Sequence, residues 1–291
     1  MIELVVDAQR HDLGGFTVGR VLPSAGRRTV GPFVFFDHMG PVDLPAGLPR
    51  SADVRPHPHI GLATVTYLFD GEIRHQDSLG SDQPIRPGEV NWMTAGRGIT
   101  HSERFDGPIR DHGGRLHGIQ AWVALPEALE EMDPSFAHHN GPADLPYYES
   151  GGMKARLIAG EAFGAKAAVR TYSPMFYVHW ELEAGATAAL PAQYPERAAY
   201  VAAGAVEVDG ARHEAGRLLV FAPGEVIPIS AAQPATVMLL GGEPIGRRHV
   251  WWNFVSSSRE RIEQAKAAWR TGRFALPPHD HDEVIPLPEN A

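Results

Sequence analysis

Arg55-Pro56-His57-Pro58-His59-Ile60-Gly61-Leu62-Ala63-Thr64-Val65-Thr66-Tyr67-Leu68-Phe69-Asp70-Gly71 is the stretch on which the reading of this chain rests. β-Branched and aromatic residues from Leu62 to Phe69 favour a strand, and the Asp70-Gly71 pair behind them is a hairpin signal. Ahead of the strand stand His57 and His59. In extended backbone, side chains at i and i+2 share one face, so these two imidazoles aim together. The same spacing recurs in Gly98-Ile99-Thr100-His101-Ser102-Glu103, where His101 and Glu103 form a second pair. If the two strands run side by side or face each other across a barrel, three imidazoles and one carboxylate converge. That set suits a divalent transition metal.

Outward from these motifs the chain continues as strands. Glu72-Ile73-Arg74-His75-Gln76 alternates as a return strand, and Arg86-Pro87-Gly88-Glu89-Val90-Asn91-Trp92-Met93 leads into the glycine-rich Ala95-Gly96-Arg97-Gly98. Upstream, Phe16-Thr17-Val18 and Phe33-Val34-Phe35-Phe36 are β-prone, and Asp37-His38-Met39-Gly40-Pro41 breaks the run. His38 reads as a turn histidine. Phe35, Phe36, Trp92 and Met93 read as core, and Arg97 as a loop residue. His75, His112 and His117 have no assignable place in the site.

A second copy of the pattern lies downstream. Ala199-Tyr200-Val201-Ala202-Ala203-Gly204 matches Thr66 to Gly71 at an offset of 133 residues, and Ala215 to Gly224 matches Pro87 to Gly96 at an offset of 128. These offsets place Leu190, Ala192, Ile229 and Ala231 where the first copy has His57, His59, His101 and Glu103. A metal site needs its ligands as a set, so one copy is expected to be metallated and the other structural. The expected division is an N-terminal metal-binding domain over 1–138, a linker over 139–152 and a metal-free domain over 153–291. One helix is expected near 258–271, with a capping box at Ser257-Ser258-Arg259-Glu260 and Ile262, Ala265 and Trp269 on one face.

Composition sets the outer bounds. The chain has 291 residues with 31 Gly and 25 Pro, which favours many short strands joined by turns over long helices. The net charge is −9 with scattered basic residues, which argues against direct binding of nucleic acid. The longest apolar run falls well short of the roughly 20 residues of a membrane helix, and no signal peptide is evident, so a cytoplasmic location is expected. Cysteine is absent, which excludes disulfides and thiolate ligands. Dinucleotide loops, Walker patterns and serine elbows are missing.

Phe35-Phe36-Asp37-His38-Met39-Gly40-Pro41, the His57-Pro58-His59 segment, Thr94-Ala95-Gly96-Arg97-Gly98-Ile99-Thr100-His101-Ser102-Glu103 and Trp252-Asn253-Phe254-Val255-Ser256-Ser257 together resemble the pirin family of the cupin superfamily. The resemblance implies an all-β bicupin: two stacked jelly-roll-type β-barrel domains with a short C-terminal helix. It implies iron, as Fe(II), held by His57, His59, His101 and Glu103; the donor set alone also allows Mn, Co, Ni, Cu or Zn. It further implies a quercetin 2,3-dioxygenase-type activity that uses dioxygen to open the ring of flavonols such as quercetin, with release of carbon monoxide. In that reaction Glu103 is the catalytic base that takes the proton of the metal-bound 3-hydroxyl. The alternative reading is a non-enzymatic, iron-dependent regulator that binds a protein partner. A monomer is expected. Many cupins carry a Glu ligand shortly after the second His, where this chain has Ala63 and Thr64. Pro278-His279-Asp280-His281-Asp282-Glu283 reads as a solvated tail.

Overall fold

The computed structural model describes residues 1–13 and 15–289, so the last two residues of the expected second domain lie outside it. The chain is nearly all β. Leu62–Asp70 pairs antiparallel with Val90–Thr94 on one side and Gly114–Ala124 on the other, inside a seven-stranded sheet. Val54–His59 belongs to a separate four-stranded sheet, in which it pairs with Ile99–Arg104. Ile99–Arg104 pairs in turn with Ile73–Asp77, and that strand with Asp82–Ile85. Met39, Leu68 and Leu116 of the larger sheet meet Ile73 and Ile85 of the smaller one in a buried cluster. Two sheets with a common apolar interior make the first barrel.

The second copy repeats this wiring. Glu196–Ala203 pairs with Arg217–Phe221 and Ala235–Gly242, and Thr187–Leu190 pairs with Ile227–Ser230 beside Ala205–Val208 and Ala211–Glu214. Val178, Trp180, Ala199, Val201 and Leu219 close on Leu190, Val206, Val208 and Ile229. The register differs from the sequence offsets in one respect. His101 stands opposite His57, but Ile229 stands opposite Ala188, and Leu190 opposite Ile227. This is a slip of two residues. An even slip keeps each side chain on its face, and Leu190, Ile229 and Ala231 are buried in the apolar core.

The compact units do not follow chain order. The unit with the histidine motifs comprises His11–Val18, Met39–His138 and Ile245–Ala291; the other comprises Met1–Arg10, Gly19–His38 and His139–Pro244. The helix does not sit where the sequence division put it. Arg259–Arg270 packs Ile262, Ala265 and Trp269 against Ile60 and Phe254 of the first unit. Its N-cap is Ser258, whose hydroxyl accepts from the Arg261 N–H at 3.3 Å. Ser257 instead hydrogen bonds to the Glu130 carboxylate.

Two local expectations about turns are corrected. Asp70-Gly71 makes no hairpin, because Leu62–Asp70 and Ile73–Asp77 lie in different sheets. It is a corner, and Gly71 sits at φ +91° where a Cβ would come 2.6 Å from the Arg115 carbonyl oxygen. His38 is not in a turn, since Phe33–Leu44 runs unbroken, and its Nδ1 lies 2.9 Å from Tyr200 Oη. Phe35, Phe36, Trp92 and Met93 are buried as expected.

The tail is not a solvated one either. Asp280 is 7% exposed and takes a bidentate pair of bonds from Arg104, Nε to Oδ2 at 2.8 Å and Nη2 to Oδ1 at 2.7 Å. Arg104 also faces Asp53 and Glu283. Five residues on, the Ile285 N–H donates to the Pro56 carbonyl at 2.8 Å. Only His279 and His281 of the His-Asp-His run face solvent. The C-terminal segment thus ties down both strands that carry the histidine motifs. Replacing Asp280 with Ala leaves a buried guanidinium short of a partner and is expected to cost about 3 kcal/mol in chemical denaturation. It should also open residues 275–289 to proteolysis, and a stability unchanged from the parent protein would contradict the assignment.

Candidate metal centre

The two-residue spacing of His57 and His59 works as the sequence suggests. Val54–His59 and Ile99–Arg104 are adjacent antiparallel strands, His101 is directly opposite His57, and alternation brings His59 to the same face. The ring centroids are 5.0 Å apart for His57 and His59, 4.4 Å for His57 and His101, and 5.0 Å for His59 and His101. Each ring offers one nitrogen such that all three lie within 4.8 Å of one another. All three residues are buried.

Which nitrogen faces inward follows from the other one. His57 Nδ1 is 2.8 Å from the Arg55 carbonyl, and His59 Nδ1 is 3.0 Å from the Asn253 carbonyl. A carbonyl only accepts, so both rings carry their proton on Nδ1 and present a bare Nε2. His101 Nδ1 lies 3.2 Å from His75 Nδ1. The Nε2 atoms of His59 and His101 are buried with no hydrogen-bond partner. Orphaned buried acceptors are costly, and a cation that takes their lone pairs removes the cost. The donor set therefore fits a divalent metal ion.

Burial favours the neutral form of each ring. It pushes His57 down to about 4, against a smaller rise from the Arg55 carbonyl, and it holds His59 and His101 well below the usual histidine range. Neutral imidazole is the form that binds metal.

Glu103 stands apart from the three-nitrogen cluster. The ladder between Ile99–Arg104 and Val54–His59 shifts by one residue after His101, so that Glu103 faces Val54. Such a bulge re-aims a side chain. Thr66 Oγ1, with one hydrogen to give, lies 3.4 Å from Glu103 Oε1 and 2.8 Å from Gln120 Oε1. Burial pushes the Glu103 carboxyl up to about 7, with the Thr66 contact acting the other way.

Sequence reasoning missed the groups behind the ligand face. His75 is buried beside His101, its ring stacked on Phe136 at 4.4 Å, and its Nε2 lies 2.9 Å from Asp77 Oδ2. Trp122 meets His59 edge-on at 5.1 Å. The i, i+2 rule that singled out His57 and His59 applies equally to His75 and Asp77, so this pair was within reach. The Asn253 carbonyl was not, because a backbone acceptor leaves no mark in residue type. His117 packs on Phe69 and His112 is exposed, both away from this cluster. Arg97 is exposed and pairs with Asp133.

The family model for pirin matches residues 15–123, and that for the pirin C-terminal cupin domain matches residues 177–275. A pirin-like protein of Caulobacter vibrioides is 68% identical over 289 residues, covering 99% of this chain and 100% of its own length. The chain belongs to the pirin family. A Pseudomonas aeruginosa protein provisionally named quercetin 2,3-dioxygenase is 38% identical, over 89% of this chain and 80% of its own. The crystal structure of a quercetin 2,3-dioxygenase from Acinetobacter baumannii superposes with a TM-score of 0.89 at 34% identity, covering 98% of this chain and 94% of that one. The two barrels are thus the two cupin domains of a pirin, and His57, His59 and His101 all fall in the first matched segment. None of the described helices is long and apolar enough to cross a membrane.

The lowered histidines fix the sign of a pH effect on the metal-free protein. Unfolded histidine takes a proton below about 6.5, whereas the folded rings resist it, so stability falls as pH drops from about 6.5 toward 4. Glu103 acts oppositely: its folded form keeps a proton up to about 7, so its contribution falls as pH rises from about 4.5. Three groups against one leave a net loss on acidification. Urea melts of metal-free protein across this window check the slope, and substitution of all three histidines by Asn should flatten it.

Proposed function

We propose that this pirin is a metal-dependent dioxygenase that opens the ring of flavonols such as quercetin, with Fe(II) held by His57, His59 and His101 and with the Glu103 carboxyl as its base. The observation that carries the reading is the set of three buried, neutral imidazoles whose Nε2 atoms converge inside one barrel while the second barrel is apolar at the matching positions. The similarity to the Acinetobacter baumannii quercetin 2,3-dioxygenase, which spans nearly the whole chain, supports the choice of reaction.

When bound, the metal supplies a Lewis acid that acidifies a coordinated hydroxyl and a centre at which dioxygen chemistry can proceed. The chain's own residues do the rest. Glu103 takes the proton of the flavonol 3-hydroxyl at its carboxylate, a role suited to a carboxyl titrating near neutrality. Thr66, whose Oγ1 is 3.4 Å from Glu103 Oε1, steadies that carboxylate when it gives its single hydrogen to it instead of to Gln120 Oε1. Trp122 and Phe136 press on His59 and His75 and keep bulk water from the rings. The buried imidazoles stay neutral and do not compete for the substrate's proton.

Two measurements test this. Anaerobic loading with Fe(II), followed by quercetin and air, should give oxygen uptake with loss of the flavonol absorbance. Absence of uptake at full iron occupancy would move the assignment to a metal-bearing regulator that acts through a protein partner. Glu103→Gln should keep the iron and lower turnover by about 10²- to 10⁴-fold, the range typical of a lost general base. Turnover equal to the parent protein would remove Glu103 from the proton transfer.

A further inference from the structure

We propose that His75 and Asp77 are positioning residues that hold His101 in the one tautomer able to present Nε2 to a metal. The inference rests on the metal-centre reading above. His57 and His59 have their tautomers set by backbone carbonyls, which can only accept. His101 has no such carbonyl. Its Nδ1 faces His75 Nδ1 at 3.2 Å, and two ring nitrogens can share only one proton between them. Either ring could be the donor, so something else must decide.

Asp77 decides it. The residue is fully buried, and its two oxygens have separate duties. Oδ1 accepts from the Leu79 N–H at 2.9 Å and the Ser81 N–H at 3.1 Å, which holds the turn that follows the strand. Oδ2 lies 2.9 Å from His75 Nε2. A carboxylate cannot donate, so a His75 ring with one proton carries it on Nε2 and is bare at Nδ1. That bare nitrogen can accept from only one neighbour, the Nδ1–H of His101. His101 then has its lone pair on Nε2, the buried atom with no other partner. Phe136, stacked on His75 at an interplanar angle of 12°, keeps the relay ring in plane. The strands fix the spacing, because His101 pairs with Asp77 and Glu103 with His75 across the ladder. Groups of this kind behind metal ligands set the tautomer and orientation of the ring they touch.

The chain of donors makes an uncommon prediction. Asp77→Asn preserves Oδ1 and its two backbone bonds but turns Oδ2 into an NH₂ donor. His75 Nε2 must then accept, its proton moves to Nδ1, and that proton is offered to His101 Nδ1. His101 is left with hydrogen on Nε2, where a metal would bind. The distant amide thus blocks the site, whereas His75→Phe only removes a partner.

The test uses the full chain and Ni(II) as the probe, with affinity read by competition against a chelator. Asp77→Asn should weaken binding by about 10- to 100-fold. In the His75→Phe background the same change should have little effect, because the relay is already cut. Nitrogen-15 spectra of the metal-free protein give a readout independent of binding: the His101 proton should sit on Nδ1 in the parent protein and on Nε2 in Asp77→Asn. Unchanged affinity in Asp77→Asn, or an equal loss with and without His75, overturns the proposal. If Asp77→Asn fails to fold, His75→Phe alone must weaken Ni(II) binding and alter the visible spectrum of a Co(II)-loaded sample, and failure to do either overturns it. A parent protein that binds no Ni(II) at all would instead sink the metal-centre reading.

Discussion

The site depends on hydrogen bonds made on the side of each imidazole that faces away from the cluster. A histidine can ligate only through a nitrogen without hydrogen, and which nitrogen that is depends on what its other side touches. The carbonyls of Arg55 and Asn253 and the ring of His75 set this for His57, His59 and His101. Burial adds the second condition by keeping the rings neutral. Much of the surrounding fold serves these contacts. Asn253 lies next to the Trp251, Trp252 and Phe254 cluster on which the C-terminal helix packs, and Gly61 approaches the Val255 carbonyl so closely that a Cβ would stand 2.0 Å from it. The tail beyond the helix grips Arg104 and Pro56, in the two strands that carry the histidines.

The second barrel shows how the same architecture holds together with apolar residues in the ligand positions. Arg197 is fully buried there, and its guanidinium donates to the carbonyls of Pro191, Ala222 and Glu225. By the repeat offsets these three correspond to Pro58, between His57 and His59, and to Thr94 and Arg97, ahead of His101. A covalently attached cation therefore ties the segments that frame the metal centre in the other copy. Burial lowers the Arg197 pKa, against the nearby Glu225 charge, and the carbonyl dipoles offset part of the cost of enclosing the charge.

Much of this was legible in the sequence because it rests on spacing. The period of two placed His57, His59 and His101 on one face, and the 133- and 128-residue offsets revealed two barrels with one emptied of ligands. The helix face of Ile262, Ala265 and Trp269 followed from a period of 3.6 residues. What escaped depends on partners remote in sequence. Asp280 is buried only because Arg104 awaits it 176 residues away, and the Asn253 carbonyl reaches His59 across 194. Asp70-Gly71 has the composition of a hairpin, but the chain changes sheet there, and a local turn signal carries no information on which sheet comes next. The one-residue bulge that sets Glu103 apart from His101 is likewise a property of the paired strand.

The central claim is that the three Nε2 atoms of the first barrel bind one metal ion and that the second barrel binds none. Anomalous diffraction from crystals of metal-loaded protein, collected at the metal's absorption edge, tests it most directly. The account predicts a single peak per chain within bonding distance of Nε2 of His57, His59 and His101. A peak at the exposed His279 and His281, a peak inside the second barrel, or no peak between the three imidazoles would contradict it.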